Sequence, residues 1–230
     1  MCSQFSIKSR PEKIAEELGI SLQGEFSKAE RYFPFSPGVP VVVKSSNGVP
    51  AIVSMRYSLT PSWSKDLRPK FGTHNARLTR VNPNTQKLEK IYEVPSWKGS
   101  FGKKHCLVPM TDFFESIRNK EFKCAGNMVD FSKKDHSLFY AAGIWNDWID
   151  QNSGEVAETF AIVTTDPPSL IASVGHDRCP IFLSPSDGLE WARRSWKNPA
   201  EAFDFLVAHQ FVPDFEVSID RPLKEGWDCK

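Results

Sequence analysis

"VPVVVKSSNGVPAIVSMRYS", residues 39–58, is two runs rich in β-branched side chains on either side of Asn47-Gly48. Asn and Gly tolerate positive φ, the backbone that a tight hairpin turn needs, so the stretch predicts two antiparallel strands joined end to end. That reading sets the fold class, because strand-like runs recur downstream: "HCLVPM" at 105–110, "FFESI" at 113–117, "HSLFYAAGIW" at 136–145 and "ETFAIVTT" at 158–165. Short helices frame them. Near the start, Ser9 and Glu12 have the spacing of a capping box, Pro11 suits a first turn, Ile14 and Leu18 share a face, and Gly19 can end the helix. Later come "PPSLIASVG", "DGLEWARRS" and "NPAEAFDFLVAHQ", the last with Asn198 as cap, Pro199 in the first turn, and Phe203, Leu206 and Val207 on one side. The expected fold is α+β: one compact domain over residues 1–230, with a curled, mostly antiparallel β-sheet and flanking short helices. Residues 61–104, rich in Pro, Gly, Asn and Lys, read as a long loop, and a loop of that length in a compact domain is usually functional or disordered.

A chain of 230 residues with 40% hydrophobic and 25% charged side chains can bury one sizeable core and is not a disordered tail. It contains no apolar run of the roughly twenty residues that cross a bilayer, and its N-terminus lacks a secretory signal, so a cytoplasmic protein with no membrane partner is expected. Five cysteines without a CxxC pair argue against a disulfide framework and against a zinc ribbon. No cofactor or metal is expected. The net charge of +1 hides an asymmetry: between Lys65 and Lys104 there are ten basic side chains and three acidic ones. A solvated face would explain this, but so would a segment that neutralises phosphates.

The chain opens Met1-Cys2. Removal of Met1, common ahead of a small second residue, leaves Cys2 with an α-amine and a thiol on adjacent carbons. Their ordinary pKa values of about 8 and about 8.5 keep useful fractions of both nucleophiles near neutral pH. The plainer reading is a small residue that merely permits trimming, and the remaining polar residues must decide. Of the five histidines, His209 near a helix end, His136 in a turn and His105 at the head of a strand read as structural. His176 differs, because "SVGHDRCPIFL" sets His, Asp and Arg together between a short helix and a strand, at a sheet edge that substrates can reach. Glu115 lies among Phe113, Phe114 and Ile117, where desolvation would suit it to proton transfer, unless strand alternation points it at water. In "THNARLTR", Asn75 and Arg77 are two apart on an extended segment and so face the same way, an amide to orient an oxygen and a guanidinium to hold a phosphate.

Taken in order, "MCSQF", "SPGVPVV", "YSLTPSWSKD", "NAR", "CLVPMTDFFE", "FYAAGIWNDW", "FAIVTTD", "HDRCPIFLSP" and "LEWA" resemble the SOS response-associated peptidase (SRAP) family through most of the chain. The resemblance implies a compact α+β domain with a barrel-like antiparallel sheet that crosslinks to abasic sites in single-stranded DNA. It implies Cys2 as nucleophile with Asn75, Glu115 and His176 beside it. Arg77 and Arg178 would contact phosphates, Pro40 and Trp63 would wedge against bases beside the lesion, and Thr164 would line the pocket. A monomer in the cytoplasm associated with the nucleoid, or in a host cytoplasm if the source is viral, fits that picture. The chain departs from the family pattern in several places: Ser3-Gln4 stand for Gly-Arg, Tyr57-Ser58 for Trp-Gly, Thr79 for a common Glu, Asp112 for a Gly and Ser116 for a Trp. The Gln4 change loses a cation that Arg80 is expected to replace in part.

Chemistry explains why cysteine stands at such a terminus. An abasic sugar opens to an aldehyde, the amine condenses to an imine, and the neighbouring thiol closes a five-membered thiazolidine; serine or lysine cannot supply both atoms at that spacing. Elimination from the imine would give strand cleavage, a lyase side reaction. Two other classes remain open at this point: a thiol peptidase or amidohydrolase built on Cys2, His176 and Glu115, with Met1 removal as self-processing, and a non-catalytic single-stranded DNA binder that uses only the basic segment.

Overall fold

The computed structural model describes residues 4–45 and 48–227. The hairpin is present: Val39–Lys44 pairs antiparallel with Pro50–Tyr57, Val39 opposite Met55 and Lys44 opposite Pro50. Gly48 has φ 84°, as the turn requires, and Asn47 lies outside the described residues. On its other edge Val39–Lys44 pairs with His105–Met110, which pairs with Phe139–Ile149, which pairs with Val156–Thr165. Thr159 and Phe160 then run parallel to Arg56 and Tyr57, which closes these five strands into a barrel. Closure removes the open edges that an antiparallel sheet would otherwise expose. Strands covered on both faces read as continuous apolar runs, which is why "VPVVV" is buried throughout and does not alternate. Gly143 permits the tight approach of neighbouring strands, since a Cβ there would lie 2.6 Å from the Cys106 sulfur and 3.0 Å from the Ala161 carbonyl oxygen.

A second sheet packs beside the barrel, in the order Phe215–Pro222, Asn127–Lys133, Asp112–Ile117, Gln4–Ser6, Arg31–Tyr32, each antiparallel to its neighbour. Phe113 stacks on Phe131 at 4.7 Å, and Phe139, Phe182 and Phe215 meet them edge-on or tilted. Burying each such ring is worth about 1.5–3 kcal/mol, so this aromatic cluster fastens the second sheet to the first.

Helices form over Pro11–Leu18, Ser169–Val174, Pro185–Arg193 and Pro199–His209. The first is capped at Arg10 and not at Ser9, with no side-chain cap bond. Pro11 already removes one orphan N–H, and Gly19 at φ 64° returns its own N–H to the Ala15 and Glu16 carbonyls. Asn198 does cap the last helix, accepting from the Ala200 amide, but Val207 is largely exposed and the buried face is Ala202 and Leu206. Residues 61–104 are not one loop. They hold the strand Asn75–Arg77, a small hairpin of Thr79–Val81 with Leu88–Lys90, and a turn at Ile91–Glu93, fixed by buried Ile91, Val94, Trp97 and Phe101. Among the described residues no helix is long and apolar enough to cross a membrane.

Candidate active site

Glu115 sits in Asp112–Ile117, where residues two apart share a face. Phe113 and Ile117 point into the core, so Glu115 points there too and is fully buried; the alternation that would have turned it to water is not the one adopted. Phe114, on the opposite face, is covered by the Arg31 guanidinium 3.5 Å from its ring centre.

His176 follows the helix Ser169–Val174, which ends at Gly175 with φ 99°. A Cβ on Gly175 would lie 2.5 Å from the Phe122 ring, so bare backbone at this step lets the chain turn and deliver His176. Its Nε2 stands 3.0 Å from Glu115 Oε2. Its Nδ1 is 3.0 Å from the Arg178 carbonyl oxygen and 3.3 Å from the Arg178 amide nitrogen. Both Nδ1 contacts go to the Arg178 backbone, which orients the ring so that Nε2 faces the Glu115 carboxyl. A buried carboxyl and imidazole at this distance have the geometry that proton transfer requires.

The strand Asn75–Arg77 runs parallel to Val156–Thr165, Asn75 beside Ile162 and Arg77 beside Thr164, while Cys179–Pro180 takes the other side of Thr164. This three-strand junction brings Arg77, Thr164 and Arg178 together. Asn75 is buried at the head of its strand. The Thr164 hydroxyl is buried and has no hydrogen-bond partner among the described residues, and the same holds for the Nε atoms of Arg77 and Arg178. Arg77 reaches Asp166 at 2.9 Å through Nη2, and Arg178 Nε is 3.7 Å from Asp177. Burial lowers the Arg178 pKa from its usual value, and repulsion from the Arg77 guanidinium lowers it further, against the pull of Asp177, Glu115 and Asp166. Two partly buried guanidinium groups that repel each other and leave donors unused form an electrostatic setting that favours an anion.

Cys2 lies outside the described residues, as do Met1 and Ser3. Trp63 is exposed and stacked on Phe71, with ring centres 5.9 Å apart. Pro40, expected as a wedge, is buried in its strand opposite Ser54 and borders a separate cavity with Ile7, Lys8 and Tyr32. Exposure in that stretch belongs to Pro37, in the turn before the strand. Arg80, expected to replace the lost cation in part, donates its Nε to Glu89 at 2.9 Å across the small hairpin. The buried Asp112 carboxylate is met by Lys8 at 2.7 Å and the Thr111 hydroxyl at 2.6 Å. Ser58, standing where the family pattern has glycine, takes φ 87°, a glycine-like backbone, and donates its amide to the Phe160 carbonyl at 2.9 Å.

Sequence reasoning passed over His74. It borders, with His176, Ser116, Arg118, Asn119 and Asp177, a cleft of about 620 Å³. Burial pulls its pKa below the usual value and Arg178 adds to this, while Glu115 opposes it. Its position next to Asn75 was the available signal. His105, by contrast, is structural: it accepts from the Gly102 amide, stacks on Trp191 at 3.8 Å, and is held down to about 3 by burial. His136 is exposed at a turn, and His209 is paired with Asp187 at 2.9 Å.

The family model described as SOS response associated peptidase (SRAP) matches residues 1–218. Abasic site processing protein YoqW of Bacillus subtilis strain 168 is 27% identical over 195 residues, which covers 83% of this chain and 80% of that one. Abasic site processing protein HMCES of Gallus gallus is 26% identical over 189 residues, 70% of this chain and 53% of that protein. A crystal structure of a protein from Bacteroides thetaiotaomicron superposes with a TM-score of 0.73 at 24% identity, covering 96% of this chain and 92% of that one, a likeness of fold. The chain belongs to the SOS response associated peptidase (SRAP) family.

Proposed function

We propose that this protein processes abasic sites in single-stranded DNA by capturing the sugar aldehyde covalently through Cys2, once Met1 is removed. The observation that carries the reading is the buried Glu115–His176 pair at 3.0 Å, at the end of the sheet where the N-terminal strand begins. Gln4 stands opposite Phe114, the neighbour of Glu115. The relatives named as abasic site processing proteins support the same substrate.

In the reaction the Cys2 amine adds to the aldehyde carbon and water leaves, giving an imine. The thiolate then adds to that carbon, and the nitrogen takes up the thiol proton. The ring closes with net loss of one water, and closure within one residue makes the adduct persistent. Glu115 exchanges protons during amine addition and water loss, His176 assists opening of the sugar, and Asn75 positions Cys2. Arg77 and Arg178 hold flanking phosphates, their unused Nε donors supporting this role, and Thr164 lines the pocket. Loss of the 3′ phosphate from the imine by β-elimination gives a lyase side reaction.

Intact-mass analysis after incubation with a single strand carrying one abasic site tests the reading. Wild type forms a species equal to protein plus strand less one water, and Cys2→Ala forms none. Absence of that species with Met1 confirmed gone overturns the proposal; turnover of amides without DNA would then favour the thiol hydrolase, and unchanged strand binding by Cys2→Ala the passive binder.

A further inference from the structure

The cleft that holds His176 does not end at Arg118. Arg118 also borders a second hollow of about 330 Å³, whose other walls include Met128, Arg221, Lys224 and Trp227. The outer wall comes from the last described residues, 219–227, which follow the segment matched by the family model. They are fastened in place. Leu223 donates its amide to the Gly126 carbonyl at 2.8 Å, and Arg118 Nη1 donates to the Trp227 carbonyl at 2.7 Å. The Trp227 indole lies so close over Gly126 that a Cβ there would come within 3.0 Å of the ring. Arg221 reaches back to Gln4, donating from Nη2 to Oε1 at 3.2 Å, which ties this wall to the first described residue of the N-terminal strand.

The chemistry of the hollow is cationic and aromatic. Arg118, Lys120 and Lys123 are exposed on the loop before Asn127–Lys133, and Arg221 and Lys224 are exposed on the facing segment; Glu121, Asp220 and Glu225 are the acidic side chains among them, and Arg221 Nη1 is paired with Asp220 at 3.0 Å. Half-buried Trp227 presents an indole among these charges. Cations that track a backbone beside an aromatic surface are what a single nucleic-acid strand requires: phosphates for the charges and base faces for the ring.

We infer that the groove walled by Arg118, Arg221, Lys224 and Trp227 is a subsite for the nucleotides on one side of the lesion. The inference rests on the functional reading above, since it assigns the occupant as the same single strand whose lesion reaches His176. The net positive lining of the hollow, Arg118, Arg221 and Lys224 against Glu225, and its continuity with the cleft at Arg118 favour this occupant.

The test uses single strands carrying a tetrahydrofuran abasic analogue, which has no aldehyde and cannot crosslink, extended by several nucleotides on the 5′ side or on the 3′ side. Wild type gains tenfold or more in affinity from extension on one side. Arg221→Ala/Lys224→Ala loses most of that gain, and its slope of log K against log salt is shallower by about 1.4, at about 0.7 per phosphate contact for single strands. Lys224→Glu, a change at an exposed side chain, gives the same direction if the double variant does not fold. Equal gains and equal slopes in wild type and variants overturn the subsite alone. Failure of wild type to bind the analogue strand at any length overturns the functional reading beneath it as well.

Discussion

His176 Nε2 lies 3.0 Å from Glu115 Oε2, with both side chains withdrawn from solvent. On the proposed function the two serve one step, so removing either leaves the other without its partner. Glu115→Gln preserves shape and removes the exchange, so capture slows about 100-fold or more. His176→Gln does the same, and the double variant is no slower than the slower single one. Single-turnover formation of the covalent species on denaturing gels measures this, and multiplicative losses would contradict a shared role.

Arg77 and Arg178 crowd two guanidinium groups together, and burial followed by that repulsion lowers the pKa of Arg178. A phosphate held between them, as proposed, would relieve the repulsion. Arg77→Ala and Arg178→Ala each weaken binding to the analogue strand and each reduce the salt slope by about 0.7. Neither variant unfolds earlier than wild type by more than a degree or two, since the like-charge repulsion disappears with the side chain. A large drop in the unfolding midpoint with an unchanged salt slope would make these residues structural.

Trp63 is exposed at 56% and rests on Phe71 with the planes 17° apart. A ring supported from behind and open in front is a surface for a base. Trp63→Ala costs about 1–3 kcal/mol of strand affinity, and the loss is similar for pyrimidine and purine strands because every base offers a π-face. Anisotropy titrations with homopolymeric strands check both the size and the indifference to sequence.

Asp130 gives a stability prediction away from the site. Burial first, with the Asp112 and Asp220 carboxylates, pushes its carboxyl up to about 6 from 3.8, against the pull of Lys8 and Arg31. Between those two values the unfolded chain has already released the proton that the folded chain keeps, so this residue makes stability fall as pH rises. Asp130→Asn therefore matches wild type below pH 3.8, gains through the interval, and is more stable by about 1 kcal/mol above pH 6, after allowing for solvent screening of a half-buried group. Denaturant melts at pH 3.5, 5 and 8 follow the gap; a gap independent of pH contradicts the assignment.

Much of this architecture was legible because the decisive residues act locally. Asn47-Gly48 between β-branched runs specifies a hairpin wherever it occurs, and Asn198-Pro199 and Gly19 mark helix ends by their own stereochemistry. The closure of the barrel was not legible, since Arg56 and Tyr57 meet Thr159 and Phe160 across about a hundred residues, in a parallel pairing that no turn encodes. Phe215–Pro222 escaped notice because all but Phe215 and Val217 are exposed, leaving no apolar alternation to read. The direction of Glu115 was undecided in "FFESI" until Phe131, Phe139 and Phe215 gathered on the Phe113 side. Pro40 and Pro37 are three apart in sequence, and only the position of the strand start separates the buried one from the exposed one.

The most direct measurement is the chemical state of the N-terminal peptide after capture. Protein is incubated with a single strand bearing one abasic site, digested with nuclease and protease, and mapped by tandem mass spectrometry, with iodoacetamide added to label free thiols. The account predicts a peptide that starts at Cys2, carries the sugar remnant on that residue, resists alkylation because its sulfur is in the ring, and gains no hydrogen from borohydride because no imine remains. A remnant on a lysine, or an alkylated Cys2 still preceded by Met1 in protein that has captured DNA, would contradict it.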